Sequence, residues 1–251
     1  MKLELPQTLK KLYKTGFVVD KKNVEREAIS STISEAEAVI LMRIVTDIKA
    51  EVTLETGLAF GASAVAIAHA KKGFPSSRKM HYAIDPNQND FYEGAALVAI
   101  KQEKLEDQFK LLEGPSHMMM PELIRDQEKL DFAFVDGWHT FDYTLLDFFL
   151  IDKILKPGGV IAFHDMQALS KQKVLRYILT HRQYTIEKNY AVRGNESRLY
   201  SLKFFLWRLF KNPSLLFSWF HWHYQLFNSS GLIVLKKTKM YEPNFDFYKN
   251  F

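Results

Sequence analysis

The chain of 251 residues contains no cysteine. Disulfide bonds, cysteine-ligated zinc and thiol catalysis are therefore excluded. The sequence also lacks an uncharged apolar run of about 18 residues, the length that a membrane-spanning helix needs. The N-terminus, MKLELPQTLKKLYK, has no apolar centre of the kind found in signal peptides. These absences favour a soluble protein of the cytoplasm.

A basic stripe interleaved with aromatic residues is missing as well. The net charge of +5 is modest and spread along the chain. The first 190 residues contain no recognised nucleic-acid-binding motif, so nucleic acid is not expected as a partner. Hydrophobic residues make up 47% of the sequence, enough for the core of one large α/β domain or of two small ones.

Strand and helix patterns alternate along most of the chain. Ser34 with Glu37 three residues later predicts a capping box that opens a helix ending near residue 49. The alternation that follows predicts a doubly wound, mostly parallel sheet with helices on both faces. Seven strands are expected, at 51–55, 81–85, 109–112, 131–135, 160–163, 184–188 and 231–236. Helices are expected at 63–71, 94–105, 121–126, 141–155 and 169–180.

The segment 199–230 interrupts this alternation. It holds three of the four tryptophans, many phenylalanines and no acidic residue, and Asn212-Pro213 divides it into two predicted helices. The pattern leaves three interpretations open, namely a lid over the site, a subunit interface of a homo-oligomer, or a helix pair on a membrane surface. We therefore divide the chain into an N-terminal helical region (1–50), a ligand-binding domain (51–198 with 231–251) and this insertion.

The glycine loop 57–61 follows the first predicted strand and opens into a helix. Glycine allows positive φ and close approach of a ligand, and a helix N-terminus offers unpaired N–H groups. The spacing is G-x-x-x-G, so alanine stands at 59 and 62, where the dinucleotide pattern G-x-G-x-x-G has glycine.

Polar residues also follow the other strands that lead to this edge of the sheet. They are Asp85, the run 113–117, the run 136–139 and the pair His164-Asp165. Because ligands bind outside the carboxyl ends of parallel strands, these residues are expected to surround one site.

A set of motifs in this order resembles class I S-adenosylmethionine-dependent methyltransferases. The set consists of Glu55-x-Gly57-x-x-x-Gly61-x-Ser63, then Asp85, then Asp136-Gly137, then Lys156-Pro157-Gly158-Gly159. Asp85-Pro86 with Gln88, Asp136-Gly137 with His139, and His164-Asp165 are similar to the branch that includes macrocin-type O-methyltransferases and cephalosporin-hydroxylase-like proteins. The resemblance covers about residues 30–190 and the last strand.

The resemblance implies S-adenosylmethionine as cofactor and assigns residues to it. Glu55 would hold the methionine ammonium directly or through water, Asp85 would accept hydrogen bonds from the ribose hydroxyls, and Ser116 lies where adenine contacts are expected. The backbone at Gly57, Ala59 and Gly61 would admit the cofactor. Ser63 and Asp136 are the remaining residues expected to bind it. Purely structural roles stay open for the side chains: a helix cap for Glu55 or Ser116, and a turn former for Asp85.

Methyl transfer to a hydroxyl needs a base or a metal ion. His139 is the preferred base, with Asp136 and His164 as further catalytic candidates. Because His164 and Asp165 are neighbours on one strand, their side chains are expected on opposite faces of the sheet. Asp136 and Asp165 end neighbouring strands and are candidates to hold Mg²⁺ together, since Mg²⁺ prefers oxygen ligands. A structural hydrogen bond for His139 and solvated turns for the aspartates are the alternatives.

We expect methylation of a hydroxyl on a small molecule, such as a sugar or another natural product. Two alternatives are kept. One is a nicotinamide-dependent oxidoreductase, although its acidic residue is expected about 20 positions after the loop and Asp85 lies further on. The other is a non-catalytic protein of the same fold that docks to a membrane or a partner through 199–230.

Overall fold

The computed structural model describes residues 3–76, 78–190, 206–207, 209–210 and 231–251. The described strands are Phe17–Val19 (β1), Glu25–Glu27 (β2), Val52–Thr56 (β3), Met80–Ile84 (β4), Phe109–Leu112 (β5), Leu130–Val135 (β6), Leu155–Phe163 (β7), Tyr184–Ile186 (β8) and Ile233–Lys237 (β9). The described α-helices are Gln7–Thr15 (α1), Glu35–Asp47 (α2), Ala62–Ala70 (α3), Ala95–Gln102 (α4), Ser116–Arg125 (α5), Phe141–Ile154 (α6) and Leu169–His181 (α7).

Seven of the strands form one sheet in the order β5-β4-β3-β6-β7-β9-β8. The pairs from β5 to β7 are parallel, whereas β9 runs antiparallel to both β7 and β8. The predicted seven-stranded, mostly parallel sheet is thus confirmed. Chain order reverses between β3 and β6, and such a reversal opens a crevice at the carboxyl ends of the two strands.

The central strand β3 shows why the sheet needs helices on both faces. All five of its residues are buried, as expected for a parallel strand that is covered on each side. Leu54 belongs to a core that includes residues of α5, α6 and α7. The core on the other face is formed with residues of α2, α3 and α4. The two layers fix the sheet edge where the site lies.

The capping box at the start of α2 is confirmed. Ser34 Oγ accepts a hydrogen bond from the Glu37 N–H at 3.3 Å, and a Glu37 carboxylate oxygen accepts one from the Ser34 N–H at 2.9 Å. This reciprocal pair satisfies two of the N–H groups that a helix start leaves without an intrahelical partner. It also fixes the direction of the Glu37 side chain.

Some local features differ from the predictions. Helix α5 begins at Ser116, before the predicted start at 121, and it keeps Pro121 in its interior. The short hairpin β1–β2 in the N-terminal region is absent from the predictions, because its strands have three residues each and β2 is wholly charged. The stretch 156–159, expected to stop the helix at 155, belongs instead to β7, which begins at Leu155 and shifts register against β6 there.

Most of the predicted insertion 199–230 lies outside the described residues. Its assignment as a lid, a subunit interface or a membrane element therefore stays a prediction. In the part of the chain that the structure describes, none of the helices combines the length and the apolar character required to traverse a bilayer.

Lys71, directly after α3, is a fully buried lysine. Its Nζ donates a hydrogen bond to the Met80 carbonyl at 2.7 Å. Burial lowers the pKa of Lys71 to about 7, although Asp131 acts in the opposite direction. The unfolded chain binds the proton up to about pH 10.4, so this lysine reduces stability increasingly as the pH falls from there towards 7.

Replacing Lys71 with methionine should therefore remove a pH-dependent destabilisation. We expect the variant to gain stability relative to the parent protein most at pH 7, and progressively less towards pH 10. Between pH 10 and pH 7 the difference in unfolding free energy between the variant and the parent should grow by a few kcal/mol, since a pKa shift of one unit corresponds to about 1.4 kcal/mol. Denaturant unfolding at several pH values measures this difference. The control is Lys72→Met, which replaces the exposed neighbouring lysine. Parallel stability curves for Lys71→Met and the parent protein would contradict the expectation.

Candidate active site

A cavity of about 850 Å³ opens at the carboxyl ends of β3 and β6. Its walls come from the glycine loop with the first residues of α3, from the segments after β4, β6 and β7, and from the start of α5. The N-terminal residues 30–33 close a further side. The volume is within the range of small-molecule sites.

The glycine loop has a tightly determined backbone. Gly57 and Gly61 both have φ of +84°, and Ala59 between them has φ of +45°. A Cβ added to Gly57 would lie 2.3 Å from the Asp136 carbonyl oxygen, so only glycine fits there. At the loop's end Ala62 and Ser63 line the cavity. As the first two residues of α3, they have N–H groups without intrahelical acceptors.

Asp85 holds this loop in place. One of its oxygens, Oδ2, accepts hydrogen bonds from the N–H groups of Leu58 and Ala59 at 2.9 and 3.0 Å. The other oxygen, Oδ1, accepts one from the Asn87 N–H at 2.8 Å. The side chain lines the cavity, but only Oδ1 keeps a further acceptor position for a ligand.

Glu55 does not line the cavity, in contrast to its predicted role at the methionine ammonium. The residue is completely buried on β3, and its carboxyl oxygens have no hydrogen-bond partner among the described residues. His81 Nε2 lies 3.5 Å from Glu55 Oε1. Burial raises the pKa of Glu55 well above its usual value. Burial thus favours the protonated form of this carboxyl, which does not line the cavity.

Ser116 lines the cavity as the first residue of α5. Its hydroxyl donates a hydrogen bond to Asp147 Oδ1 at 2.5 Å. Burial raises the pKa of Asp147, while this hydrogen bond acts in the opposite direction. The Ser116 hydroxyl can still accept a bond from a ligand, but its proton is already used.

Three side chains at the ends of β6 and β7 come together on the cavity wall. Ligand atoms of Asp136, His139 and Asp165 all lie within 4.8 Å of one another. His139 Nε2 lies 3.4 Å from Asp165 Oδ2. The predicted convergence of the two aspartates is thus seen in the structure, and His139 joins them.

His164 bridges two carboxylates. Its Nδ1 lies 3.0 Å from Asp136 Oδ1, and its Nε2 lies 3.3 Å from Glu37 Oε1. Burial alone would lower the pKa of His164, but the hydrogen bonds with Asp136 and Glu37 raise it to about 10. The ring is therefore protonated at neutral pH, with both nitrogens occupied. His164 cannot serve as the predicted second base.

The expectation that His164 and Asp165 lie on opposite faces of the sheet is also wrong. His164 Nδ1 is 3.6 Å from Asp165 Oδ1. Strand β7 ends at Phe163, and Asp165 has a left-handed backbone with φ of +51°. The alternation of a continuing strand is lost, and both side chains face the site.

Lys171 adds a second cation beneath the carboxylates. The residue is 1% exposed on α7, and its Nζ donates a hydrogen bond to the His164 carbonyl at 3.0 Å. Burial lowers the pKa of Lys171, whereas Asp136, Asp165 and Asp147 act to raise it. Burial likewise lowers the pKa of His139, and Lys171 lowers it further. His139, which is half exposed, is accordingly neutral at pH 7.

Sequence reasoning missed three residues of this site. Glu37 was assigned only as a helix cap, and Asp147 and Lys171 stand in helical segments with no motif around them. A charged residue at a buried position of a helix is an available signal, because lysine and acidic side chains are seldom fully buried without a partner. The sequence alone does not say which helix positions are buried.

Glu37→Gln tests the contact between α2 and the site. Glutamine also serves in a capping box, so this variant removes the charge beside His164 and keeps the cap. Burial acts to raise the pKa of Glu37, but the hydrogen bonds with His164 and Ser34 lower it to about 2. Its stabilisation is therefore present above the unfolded-state pKa near 4.3 and is lost as the pH falls through about 2.

We expect Glu37→Gln to lower the free energy of unfolding by about 2–3 kcal/mol at pH 7 and by progressively less below pH 4. Denaturant titrations at a series of pH values measure this. The matched control is Glu35→Gln, which removes an exposed charge from the same helical turn. Equal effects of the two substitutions at pH 7 would show that the His164 contact does not stabilise the protein.

Residues 54–166 match the model of a protein family described as a methyltransferase domain. An O-methyltransferase from Bacillus cereus, solved in complex with S-adenosylhomocysteine, has a similar structure with a TM-score of 0.63 at 14% identity, covering 94% of this chain and 93% of that one. The O-methyltransferase TomG from Streptomyces achromogenes, which is involved in tomaymycin synthesis and was solved with S-adenosylmethionine, has a TM-score of 0.63 at 13% identity, covering 95% and 92%.

The S-adenosylhomocysteine-bound methyltransferase PaMTH1 from Podospora anserina gives a TM-score of 0.58 at 16% identity, over 73% of this chain and 83% of that one. These likenesses agree with the seven-stranded, mostly parallel sheet of the described chain. Residues 54–166 are thus similar to a methyltransferase domain, and the sheet has the Rossmann-like fold of class I methyltransferases.

Proposed function

We propose that this protein transfers the methyl group of S-adenosylmethionine to a hydroxyl of a small molecule, such as a sugar or another natural product. The observation that carries the proposal is the cluster of Asp136, His139 and Asp165 on the wall of the cavity. A hydroxyl is a weak nucleophile until its proton is removed. A base beside two carboxylates that suit a metal ion supplies the chemistry for that step.

The cavity fits the cofactor. The left-handed turn at Gly57 and Gly61 lets the backbone of the loop form one wall without Cβ atoms. The free N–H groups at the start of α3 suit a carboxylate such as that of the methionine part. Asp85 Oδ1 keeps one acceptor position for a ribose hydroxyl. When bound, the cofactor supplies an electrophilic methyl group on a sulfonium.

Asp136 replaces Glu55 as the acidic side chain available at the methionine end. It lines the cavity immediately after β6, and its N–H donates to the Thr56 carbonyl at 2.9 Å. The close packing of its carbonyl against Gly57 fixes its backbone at the crevice. An ammonium group placed beside the glycine loop would be attracted to this carboxylate.

His139 is the proposed base. It is neutral at pH 7 because burial and Lys171 lower its pKa, so its ring can accept a proton from the acceptor hydroxyl. Its side chain is half exposed on the cavity wall, which leaves room for an acceptor to approach. Asp165 at 3.4 Å from Nε2 would stabilise the imidazolium that forms.

Asp136 and Asp165 are the proposed ligands of a divalent cation. Two carboxylates on one wall suit Mg²⁺ or Mn²⁺, which prefer oxygen ligands. Such an ion lowers the pKa of a hydroxyl that it binds. His164 Nδ1 lies 3.0 Å from Asp136 Oδ1 and 3.6 Å from Asp165 Oδ1, so the histidine contacts both proposed ligands.

Asp165→Asn tests the cation. In protein saturated with S-adenosylhomocysteine, the substitution should weaken binding of Mn²⁺ at least about tenfold, because one charged ligand is lost. The affinity for S-adenosylhomocysteine should change less than about twofold. Calorimetry measures both, with the exposed Asp107→Asn as the control. If the parent protein binds no Mn²⁺, and turnover of an acceptor found by screening is complete in EDTA, the cation is excluded and His139 acts alone.

His139→Gln tests the base. Turnover of the same acceptor should fall by about 10²- to 10⁴-fold, the contribution expected of a general base, while S-adenosylhomocysteine binds as before. The exposed His117→Gln, in α5 at a position that does not line the cavity, should leave turnover unchanged. A loss of less than about threefold in His139→Gln would assign proton removal to another group.

A further inference from the structure

The glycine loop contains a residue that its backbone conformation does not favour. Ala59 has φ of +45°, in the left-handed region where a Cβ meets the neighbouring carbonyl oxygen. Gly57 and Gly61 on either side adopt such angles without that contact. Some interaction must therefore hold Ala59 in this conformation.

Both backbone polar groups of Ala59 are bound by side chains from the segment that follows β4. Its N–H donates to Asp85 Oδ2 at 3.0 Å, and its carbonyl accepts a hydrogen bond from Gln88 Nε2 at 2.8 Å. Gln88 is completely buried. The N–H of Ala59 is thus fixed by Asp85 and its carbonyl by Gln88.

The remaining atom of the Gln88 amide is also used. Its Oε1 accepts a hydrogen bond from the Ala96 N–H, in the first turn of α4, at 3.3 Å. Ala96 is the residue against which Gly61 packs, since a Cβ on Gly61 would lie 2.7 Å from the Ala96 Cβ. One buried amide therefore joins the loop to the start of α4, and the loop cannot relax away from it.

We propose that Gln88 is a positioning residue for the cofactor, which compensates for the alanine at 59 by holding it in the left-handed conformation. Gln88 itself does not line the cavity, whereas Ala59 and the start of α3 beyond it do. Its effect on the cofactor is therefore transmitted through the loop backbone. The inference concerns cofactor binding alone and is independent of the acceptor, the base and the cation.

The test is a double-mutant cycle of Gln88→Ala and Ala59→Gly, read as S-adenosylhomocysteine affinity by calorimetry. Gln88→Ala should weaken binding about tenfold, because the loop loses the bond that holds it. Ala59→Gly should change affinity less than about twofold, since glycine adopts this φ freely. In the Ala59→Gly background, the further effect of Gln88→Ala should fall to about twofold or less.

Asn89→Ala is the matched control, because this exposed amide of the same turn bonds only to surface side chains. It should leave the affinity unchanged. An equal loss from Gln88→Ala with alanine and with glycine at 59 would overturn the proposal, since Gln88 would then act through α4. Unchanged affinity in Gln88→Ala, with or without a lower melting temperature, would overturn it as well. Should Gln88→Ala not fold, Gln88→Met, which keeps the buried volume, replaces it in the cycle.

Discussion

The close contact between the backbones that leave β3 and β6 is the constraint on which the rest of the site depends. Gly57 has no Cβ, and the Asp136 carbonyl occupies the space where one would stand. The two strands can therefore stay paired up to their last residues, Thr56 and Val135. The loop and the acidic segment then separate in opposite directions, which creates the crevice. A side chain at 57 would move both walls at once.

The electrostatics of the site follow from the same crowding. Asp136 and Asp165 lie on one wall, and Glu37 approaches from the other side of His164. The partly buried His164 and the fully buried Lys171 lie near these carboxylates. Charges of one sign at such distances would be unfavourable without partners. The surroundings instead raise the pKa of His164 and lower that of His139, so two neighbouring histidines of one site differ in how readily they bind a proton.

The sequence was sufficient for the parts of the fold that depend on local patterns. Periodicity and glycine placement predicted the seven-stranded sheet, and Ser34 with Glu37 predicted a cap that the structure contains. The convergence of Asp136 and Asp165 followed from the rule that parallel strands end at one edge. These features need only the order of residues along the chain and the topology of a parallel sheet.

The sequence was less informative where side-chain direction or a distant partner decides the role. Glu55 is predicted at the cofactor, and in the structure it is buried on β3 and does not line the cavity. His164 was expected on the other face, because the left-handed backbone at Asp165 has no sequence signal. The contact of Glu37 with His164 joins residues 127 positions apart, and no local pattern encodes it. Asp85 was assigned to a ligand, whereas backbone N–H groups occupy most of its acceptor positions.

The N-terminal residues 30–33 and Glu37 lie outside the stretch 54–166 that the family model matches, yet residues 30–33 form one wall of the cavity and Glu37 contacts His164. The unit that the family model delineates is thus smaller than the unit that encloses the cavity. Transplanting 54–166 alone into another protein would transfer the loop and the acidic residues but leave the pocket open on one side and His164 with one carboxylate fewer. In recombination between relatives, the first fifty residues and the domain after them would have to be inherited together.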